Sequence, residues 1–224
     1  MIPLNKMIDH TKLGANVTLE QINQLIHEAK TYDFKSVCVN PIWVKYAKEH
    51  LITTDVLVCT VVGFPHGTHR ADVKAFETQQ AITDGADEID MVINVQLLKS
   101  GQDEALYHDI KSVVDQAKGR TVKVIIETCY LTEEEIVKVS QIALRAKAHF
   151  IKTSTGFGPA GATIAHVALM KSVVKDQAEV KASGGVRTYE DALKMIEAGA
   201  TRIGTSNGVQ IIQRRQEHDS NTSY

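Results

Sequence analysis

The sequence carries no excess of charge of one sign and no long run of hydrophobic residues. Its 25 Lys and Arg residues nearly match its 27 Asp and Glu residues, which gives a net charge of −2. Such a chain has no basic field to attract nucleic acid or an anionic membrane surface, so we expect neither as a partner. No apolar stretch approaches the roughly 20 residues that a membrane-spanning helix needs. The start, MIPLNKMIDHTKLG, lacks the basic and apolar regions of a signal peptide, so we expect a cytoplasmic protein.

Cysteine and histidine are too few and too scattered to indicate a disulfide framework or a metal centre. The three cysteines, Cys38, Cys59 and Cys129, form no paired spacing, and their positions in or just after predicted strands fit buried thiols in a reducing compartment. Among nine histidines, the nearest approach to a ligand pair is His66 and His69. We therefore expect no metal, and no other feature of the sequence leads us to expect a cofactor.

Strand and helix patterns alternate along the whole chain. Thr18 offers an N-cap before one helical segment, and Thr132 with Glu135 forms a capping box before another. Alternation of this kind indicates parallel strands joined by right-handed crossovers. The eight predicted strands cover residues 7–11, 36–40, 55–64, 88–94, 122–128, 149–154, 179–183 and 202–206.

Eight strands in 224 residues favour a single-domain α/β fold, a closed (β/α)8 TIM barrel over residues 1–213, followed by a flexible tail over residues 214–224. The alternative is an open, doubly wound sheet. That fold normally carries a G-x-G-x-x-G turn after its first strand, whereas here the first strand leads into DHTKLGANVT.

Polar side chains occupy one face of several predicted strands. Side chains alternate between the two faces of a strand, and the outer face of a barrel packs on helices, so the polar face should point at the barrel axis. We expect Lys123 and Glu127 to form a stabilising pair there. The residues on this polar face are Ser36, Cys38, Asn40, Asp90, Asn94, Lys123, Glu127, Lys152, Ser154, Lys181 and Ser183.

Two of these residues, Lys152 and Lys181, interrupt apolar runs near the ends of strands six and seven. A buried ammonium is costly, and two nearby cations disfavour each other's charge. A lysine that is held partly uncharged can attack a carbonyl and form a Schiff base. Together with Asp9 and Asp90, they form the charged set that we expect at the mouth of the barrel. An interior ion-pair network without catalysis is the alternative.

Glycine-rich turns follow strands seven and eight, where barrel enzymes commonly hold phosphate. In these turns, backbone N–H groups and helix N-termini can approach an anion closely. A third wall follows strand six and contains Gly156. The predicted phosphate contacts in the two turns are Ser183, Gly184, Gly185, Gly204, Ser206 and Asn207.

Several motifs, in order over nearly all of residues 7–210, resemble the deoxyribose-phosphate aldolase family. The resemblance implies a TIM barrel, no metal, and reversible cleavage of 2-deoxy-D-ribose 5-phosphate to acetaldehyde and D-glyceraldehyde 3-phosphate. It also implies a homodimer. The motifs are IDHT (8–11), SVCVNP (36–41), VVGFPHG (61–67), EIDMVIN (88–94), VIIET (124–128), IKTSTGFG (151–158) and KASGGVRT (181–188).

The resemblance also implies roles for particular residues. Lys152 matches the Schiff-base lysine, Lys181 the second lysine that keeps it uncharged, and Asp90 the carboxylate of the proton relay. Asp9 matches an aspartate that supports the lysines or the substrate hydroxyls, and Cys38 a cysteine near the substrate. Gly184, Gly185 and Ser206 match the phosphate loops. Tyr224 matches a terminal tyrosine that assists proton transfer in relatives, and a disordered terminus without a role is the alternative.

One motif departs from the family pattern. The first motif often reads DHTLL in the family, so Lys12 in DHTKLG has no counterpart, and we expect it to be exposed.

Two other functions also remain open from the sequence: a different Schiff-base aldolase of phosphorylated sugars, and a barrel that binds a sugar phosphate without catalysis.

Overall fold

Eight parallel strands close into a barrel in the order of the chain. The computed structural model describes residues 2–221, and side chains for residues 2–214. Closure is made between the first and last strands, where Ile8 pairs with Ile203 and His10 with Thr205. The strands are β1 (Ile8–Lys12), β2 (Ser36–Val39), β3 (Leu57–Val62), β4 (Glu88–Val92), β5 (Thr121–Ile125), β6 (Phe150–Lys152), β7 (Glu179–Ser183) and β8 (Arg202–Thr205).

This topology confirms the predicted TIM barrel and excludes the open sheet. Each predicted strand is present with its boundaries shifted by no more than a few residues. The helices surround the barrel. They are α1 (Leu19–Tyr32), α2 (Val44–Leu51), α3 (Ala71–Thr83), α4 (Val95–Lys99), α5 (Asp103–Gln116), α6 (Glu133–Arg145), α7 (Ile164–Val174), α8 (Tyr189–Glu197) and α9 (Gly208–Asn221).

The predicted helix starts are confirmed by their capping hydrogen bonds. The Thr18 hydroxyl accepts from the Gln21 amide before α1. Before α6, the Thr132 hydroxyl accepts from the Glu135 amide, while the Glu135 carboxylate accepts from the Thr132 amide at 2.8 Å. Each reciprocal pair satisfies two backbone donors that the first turn of a helix leaves free.

Most of the apolar core lies between the strands and the helices, and a smaller separate cluster is formed by Leu13, Cys38, Cys59 and Val61. Outward-facing strand residues such as Val37, Ile89 and Ile151 are fully buried against the helices. Each such side chain contributes about 1.5–3 kcal/mol by leaving water. The barrel interior instead holds buried charged side chains, so the helix layer supplies most of the hydrophobic stabilisation.

The predicted tail boundary falls inside a helix. Helix α9 runs across residue 213 and continues to Asn221, so the flexibility of residues 214–224 stays a prediction. Tyr224 lies outside the described residues. Within the part of the chain that the structure describes, no helix has both the length and the hydrophobicity that a bilayer crossing needs.

Candidate active site

The four predicted charged residues meet inside the barrel. Lys152 is the last residue of β6, and Asp9, Asp90 and Lys181 lie within β1, β4 and β7. Asp9, Asp90 and Lys181 are fully buried, and Lys152 keeps only 3% of its surface exposed. The strands therefore display the alternation of side chains from which we predicted one shared site.

Both oxygens of the Asp90 carboxylate are fully engaged. Oδ2 accepts hydrogen bonds from the ammonium groups of Lys152 and Lys181, each at 2.8 Å. Oδ1 accepts from Lys123 at 2.8 Å and from the thiol of Cys59 at 3.1 Å. One carboxylate thus collects three buried lysines that come from β5, β6 and β7.

Asp9 completes the coordination of the second lysine. Its Oδ2 accepts from Lys181 at 2.5 Å. Its Oδ1 accepts from the Ser36 hydroxyl at 2.7 Å and from the Arg202 guanidinium at 2.8 Å. Lys181 therefore bridges two carboxylates.

Glu88 links the remaining cations and closes a ring. Its carboxylate lies 2.6 Å from Lys123 Nζ and 2.8 Å from Arg202 Nη1. Arg202 reaches both Glu88 and Asp9, so the contacts return to their starting point. We call this closed set of alternating charges the ion ring; its members, in order, are Asp9, Lys181, Asp90, Lys123, Glu88 and Arg202.

The contacts within the ion ring keep Asp9, Asp90, Lys123 and Lys181 charged. Burial alone would raise the pKa of the Asp9 and Asp90 carboxyls, but the adjacent cations outweigh it and hold both pKa values well below the usual range. Burial alone would lower the pKa of Lys181 and Lys123, but the facing carboxylates outweigh it and raise both pKa values above the usual range. Asp9 and Asp90 therefore favour the charged form of Lys181, beside Lys152.

The predicted pair of Lys123 and Glu127 is wrong. Lys123 contacts Glu88 and Asp90 instead. Strand β5 ends at Ile125, and Glu127 has a left-handed φ of 54°, so the alternation that placed both residues on one face has already stopped. The Glu127 carboxylate accepts from the Thr155 hydroxyl at 2.5 Å and from the Thr155 amide at 3.1 Å, which ties together the loops after β5 and β6.

A cavity of about 330 Å³ opens above Lys152 at the carboxyl ends of the strands. A cavity of this size suits a small substrate. The six predicted phosphate contacts line it, and so does Gly156 of the predicted third wall. Its lining residues are Thr11, Lys12, Leu13, Gly14, Lys152, Thr155, Gly156, Phe157, Ser183, Gly184, Gly185, Val186, Arg187, Gly204, Thr205, Ser206 and Asn207.

The cavity wall carries cations and no carboxylate. Lys12, Lys152 and Arg187 line it, and none of its lining residues is Asp or Glu. The expectation that Lys12 is exposed is wrong, because this residue is half-buried and faces the cavity. The first turn of α9 starts at Gly208, directly after the lining residue Asn207. These features favour a ligand that bears negative charge.

Gly204 allows β8 to approach β7 closely. A Cβ at this position would lie 2.9 Å from both Lys181 Cε and Ser183 Cβ. The absence of a side chain therefore makes room for the Lys181 side chain, in addition to forming the cavity wall.

Asp9 and Cys38 do not line the cavity. Both are fully buried below it. Asp9 binds Lys181, so the geometry favours support of the lysines over contact with substrate. Burial of Cys38 beside Cys59 leaves their sulfur atoms within 4.8 Å of each other and of an Asp90 oxygen.

These three side chains form the only cluster of potential metal ligands among the described residues. The same Asp90 carboxylate already accepts from three lysines. A divalent cation there would face these ammonium groups, so the donor set does not suit a metal.

Sequence reasoning missed the far side of the ion ring. Glu88 and Arg202 are the first residues of β4 and β8, at the end of the barrel opposite the cavity. Their spacing offered a signal, since Glu88 precedes Asp90 by two residues and Arg202 precedes Gly204 by two. The same parity points them inward.

Comparisons with known proteins assign the family. A family model described as DeoC/LacD family aldolase matches residues 4–214. A deoxyribose-phosphate aldolase of Staphylococcus epidermidis is 59% identical over 219 residues, which cover 98% of each chain. The chain therefore belongs to the DeoC/LacD aldolases, and the expected family is confirmed.

Solved structures agree with the barrel. A structure described as a putative deoxyribose-phosphate aldolase from Coccidioides immitis has a TM-score of 0.93 and 42% identity, covering 95% of this chain and 85% of that one. A deoxyribose phosphate aldolase from Aeropyrum pernix, described as a unique tetramer, has a TM-score of 0.90 and 32% identity, covering 96% and 92%.

Proposed function

We propose that this protein is an aldehyde-lyase with deoxyribose-phosphate aldolase activity, in which Lys152 forms a Schiff base with the substrate. The reaction is the reversible cleavage of 2-deoxy-D-ribose 5-phosphate to acetaldehyde and D-glyceraldehyde 3-phosphate. The observation that carries the proposal is the pair of lysines on one oxygen of Asp90, beneath a cavity whose charged side chains are all cations.

The first chemical step joins Lys152 to the substrate. Its uncharged Nζ attacks the aldehyde carbon C1 of the open-chain sugar, and loss of water gives an iminium ion. Lys152 is the one lysine on Asp90 that also lines the cavity. Lys181 and Lys123 have no access to the cavity wall, so Lys152 is the amine that can reach a carbonyl.

Carbon–carbon cleavage follows from the charge on the iminium ion. The proton of the C3 hydroxyl leaves through a water to the Asp90 carboxylate, the C2–C3 bond breaks, and its electron pair flows into the iminium to give an enamine. The relay returns the proton to C2, and water releases acetaldehyde from Lys152. Lys181, held between Asp9 and Asp90, keeps the carboxylate in place throughout.

The far end of the substrate is a phosphate, and the cavity supplies its partners. Glycine-rich backbone at Gly184 and Gly185, the Ser206 hydroxyl and the Asn207 amide line one wall. Lys12 and Arg187 add positive charge. Both side chains line the cavity, where they can contact an anion. Remote phosphate binding fixes the reacting carbon near Lys152.

A homodimer and a cytoplasmic location belong to the same proposal. The described cysteines are all free, which agrees with a reducing compartment. Size-exclusion chromatography with light scattering tests the oligomeric state, and a tetramer such as that described for the Aeropyrum pernix protein would contradict the dimer.

The experiment that tests the proposed function is borohydride trapping with acetaldehyde, followed by peptide mapping. The reduced adduct should place an ethyl group on Lys152. Lys152→Met should form no adduct and lose cleavage of deoxyribose 5-phosphate, while the exposed-surface control Lys45→Ala should behave as the parent. An adduct at another lysine would overturn the assignment of the nucleophile.

Substrate tests separate the remaining alternatives. Turnover of acetaldehyde as the donor supports this activity, whereas turnover only of larger ketone or keto-acid donors indicates a different Schiff-base aldolase. A protein that binds deoxyribose 5-phosphate in a thermal-shift assay, yet forms no adduct and cleaves nothing, would be a sugar-phosphate-binding barrel.

A further inference from the structure

We propose that Glu88 and Arg202, at the end of the barrel away from the cavity, are positioning residues that set the charge balance around Lys152. The inference rests on the proposed role of Lys152. Neither Glu88 nor Arg202 lines the cavity, and each is buried, with 2% and 6% of its surface exposed. They act through the side chains that they hold.

The charges of the ion ring cancel. Its three carboxylates face three cations; each member contacts at least two of opposite sign, and Lys123 lies 3.7 Å from Asp9 across the ring. Lys152 lies outside this neutral ring and makes a single ion pair with it, to Asp90 Oδ2. When protonated, Lys152 is the surplus cation of the barrel interior. A surplus buried charge is the one that an interior of low dielectric disfavours most.

The connection from Glu88 and Arg202 to Lys152 runs through two routes of direct contact. Glu88 holds Lys123, which donates to Asp90 Oδ1 at 2.8 Å. Arg202 holds Asp9, which binds Lys181, and Lys181 donates to the same Asp90 oxygen as Lys152. A change of charge at Glu88 therefore affects Asp90 through Lys123, and a change of charge at Arg202 affects it through Asp9 and Lys181.

Every strand contributes a charged or titratable group to this environment. The net charge around Lys152 therefore depends on the whole barrel interior. Cys38 and Cys59 are thiols within it, and burial raises the pKa of Cys59 well above its usual value. The groups around Lys152 are Asp9 on β1, Cys38 on β2, Cys59 on β3, Glu88 and Asp90 on β4, Lys123 on β5, Lys181 on β7 and Arg202 on β8, with Lys12, Arg187 and Glu127 in the loops near the cavity.

The sign of each effect follows from the balance. Glu88→Gln removes one negative charge, so protonated Lys152 is disfavoured further and imine formation should persist to lower pH. Arg202→Met removes one positive charge, so protonated Lys152 is favoured and imine formation should require higher pH. Each displacement should be about one pH unit, the size expected for one uncompensated charge within a protein interior.

The double variant distinguishes charge balance from structural support. Glu88→Gln with Arg202→Met removes one charge of each sign, so its pH dependence should return to within about 0.3 pH units of the parent. If the two residues have only a structural role, the second substitution should add to the loss of stability and activity that the first one causes. Arg202→Lys keeps the charge, so its pH dependence should match the parent even where its rate is lower.

The measurement is the rate of imine formation with acetaldehyde against pH, read as cyanoborohydride-trapped adduct on Lys152. It requires neither phosphate binding nor carbon–carbon cleavage. If the parent forms no adduct on Lys152, the proposed function fails. If the parent forms it and the single variants shift in the same direction or not at all, or the double variant does not return, only the present inference is overturned.

Folding controls accompany each variant, because loss of one partner from a buried ion pair is strongly destabilising. Circular dichroism and thermal unfolding identify folded variants. Where Glu88→Gln is unfolded, Asp9→Asn replaces it, and where Arg202→Met is unfolded, Lys123→Met replaces it. The substitutes remove charges of the same sign from the ion ring, so the same opposite shifts are required of them.

Discussion

Lys152 and Lys181 donate to the same oxygen, Asp90 Oδ2, each at a distance of 2.8 Å. Two ammonium groups on one acceptor disfavour each other's charge. Lys181 has a second carboxylate, Asp9, at 2.5 Å, whereas Lys152 makes no second ion pair with any residue that the structure describes. This asymmetry leaves Lys152, which also lines the cavity, as the less constrained of the two amines.

Replacing Lys181 by Met should slow imine formation at neutral pH on the order of a hundredfold or more. The missing cation leaves Asp90 and Asp9 with excess negative charge, which stabilises protonated Lys152. The acid limb of the pH–rate profile should therefore move to higher pH, and activity should partly recover in alkaline buffer. A profile with the same midpoint as that of the parent would show that Lys181 does not act through its charge.

Removing the cations of the cavity should weaken phosphate recognition and leave the chemistry intact. For Lys12→Gln and for Arg187→Gln, we expect the KM for deoxyribose 5-phosphate to rise about tenfold, the usual effect of losing one charge-assisted contact. Turnover of 2-deoxyribose, which has no phosphate, should be unchanged. Equal losses on both sugars would contradict a role in phosphate binding.

Stability should fall in acid as the buried carboxylates are protonated. The pKa values of Asp9 and Asp90 in the folded protein lie below the unfolded value of about 3.9, so their contribution is present above that pH and is lost as the pH falls below it. Urea midpoints should drop below about pH 4, beyond a smaller decrease near pH 6 that comes from buried His10, whose pKa is lowered by burial.

Asp9→Asn provides the control for this acid transition. The variant should be less stable than the parent at neutral pH, and the difference should narrow as the pH falls, because the parent then loses the same charge. Asp176→Asn, at an exposed position, should follow the parent throughout. A constant gap between parent and Asp9→Asn would refute the assignment of the acid transition to this carboxylate.

Gly204→Ala should reduce both stability and activity. The added Cβ would lie 2.9 Å from Lys181 Cε, so the lysine or β8 must shift away from Asp90. Gly14→Ala is the matched control on the same cavity, since its nearest contact would be Asn16 Oδ1 at 3.3 Å. Thermal unfolding and trapping with acetaldehyde should show a clear loss for the first variant only. Similar losses in both would indicate a general intolerance of the cavity wall.

The convergence of Asp90, Lys152 and Lys181 could be predicted because it depends on two local rules. Side chains alternate along a strand, and parallel strands present their carboxyl ends at one end of a barrel. Neither rule needs a measured distance. The same rules also located the glycine turns that line the cavity. The family resemblance, not the residue pattern, supplied acetaldehyde and deoxyribose.

The partners of each charge could not be predicted, because they depend on strand tilt and closure. Glu88 and Arg202 are 114 positions apart and meet only when β8 returns to β1. The mistaken pairing of Lys123 with Glu127 has a local cause, since the left-handed φ of Glu127 ends the alternation. Lys12 was placed in solvent because a sequence does not reveal where a strand end turns toward a cavity.

Arg202 on β8 contacts both Asp9 on β1 and Glu88 on β4. These two carboxylates therefore obtain their arginine partner only when the last strand is in place. A nascent chain that has not yet reached residue 202 leaves two acidic side chains without this partner, facing a space that water must still fill. The ion ring is therefore complete only when the last strand is in place, and a half-barrel fragment without β8 would leave Asp9 and Glu88 without their arginine partner.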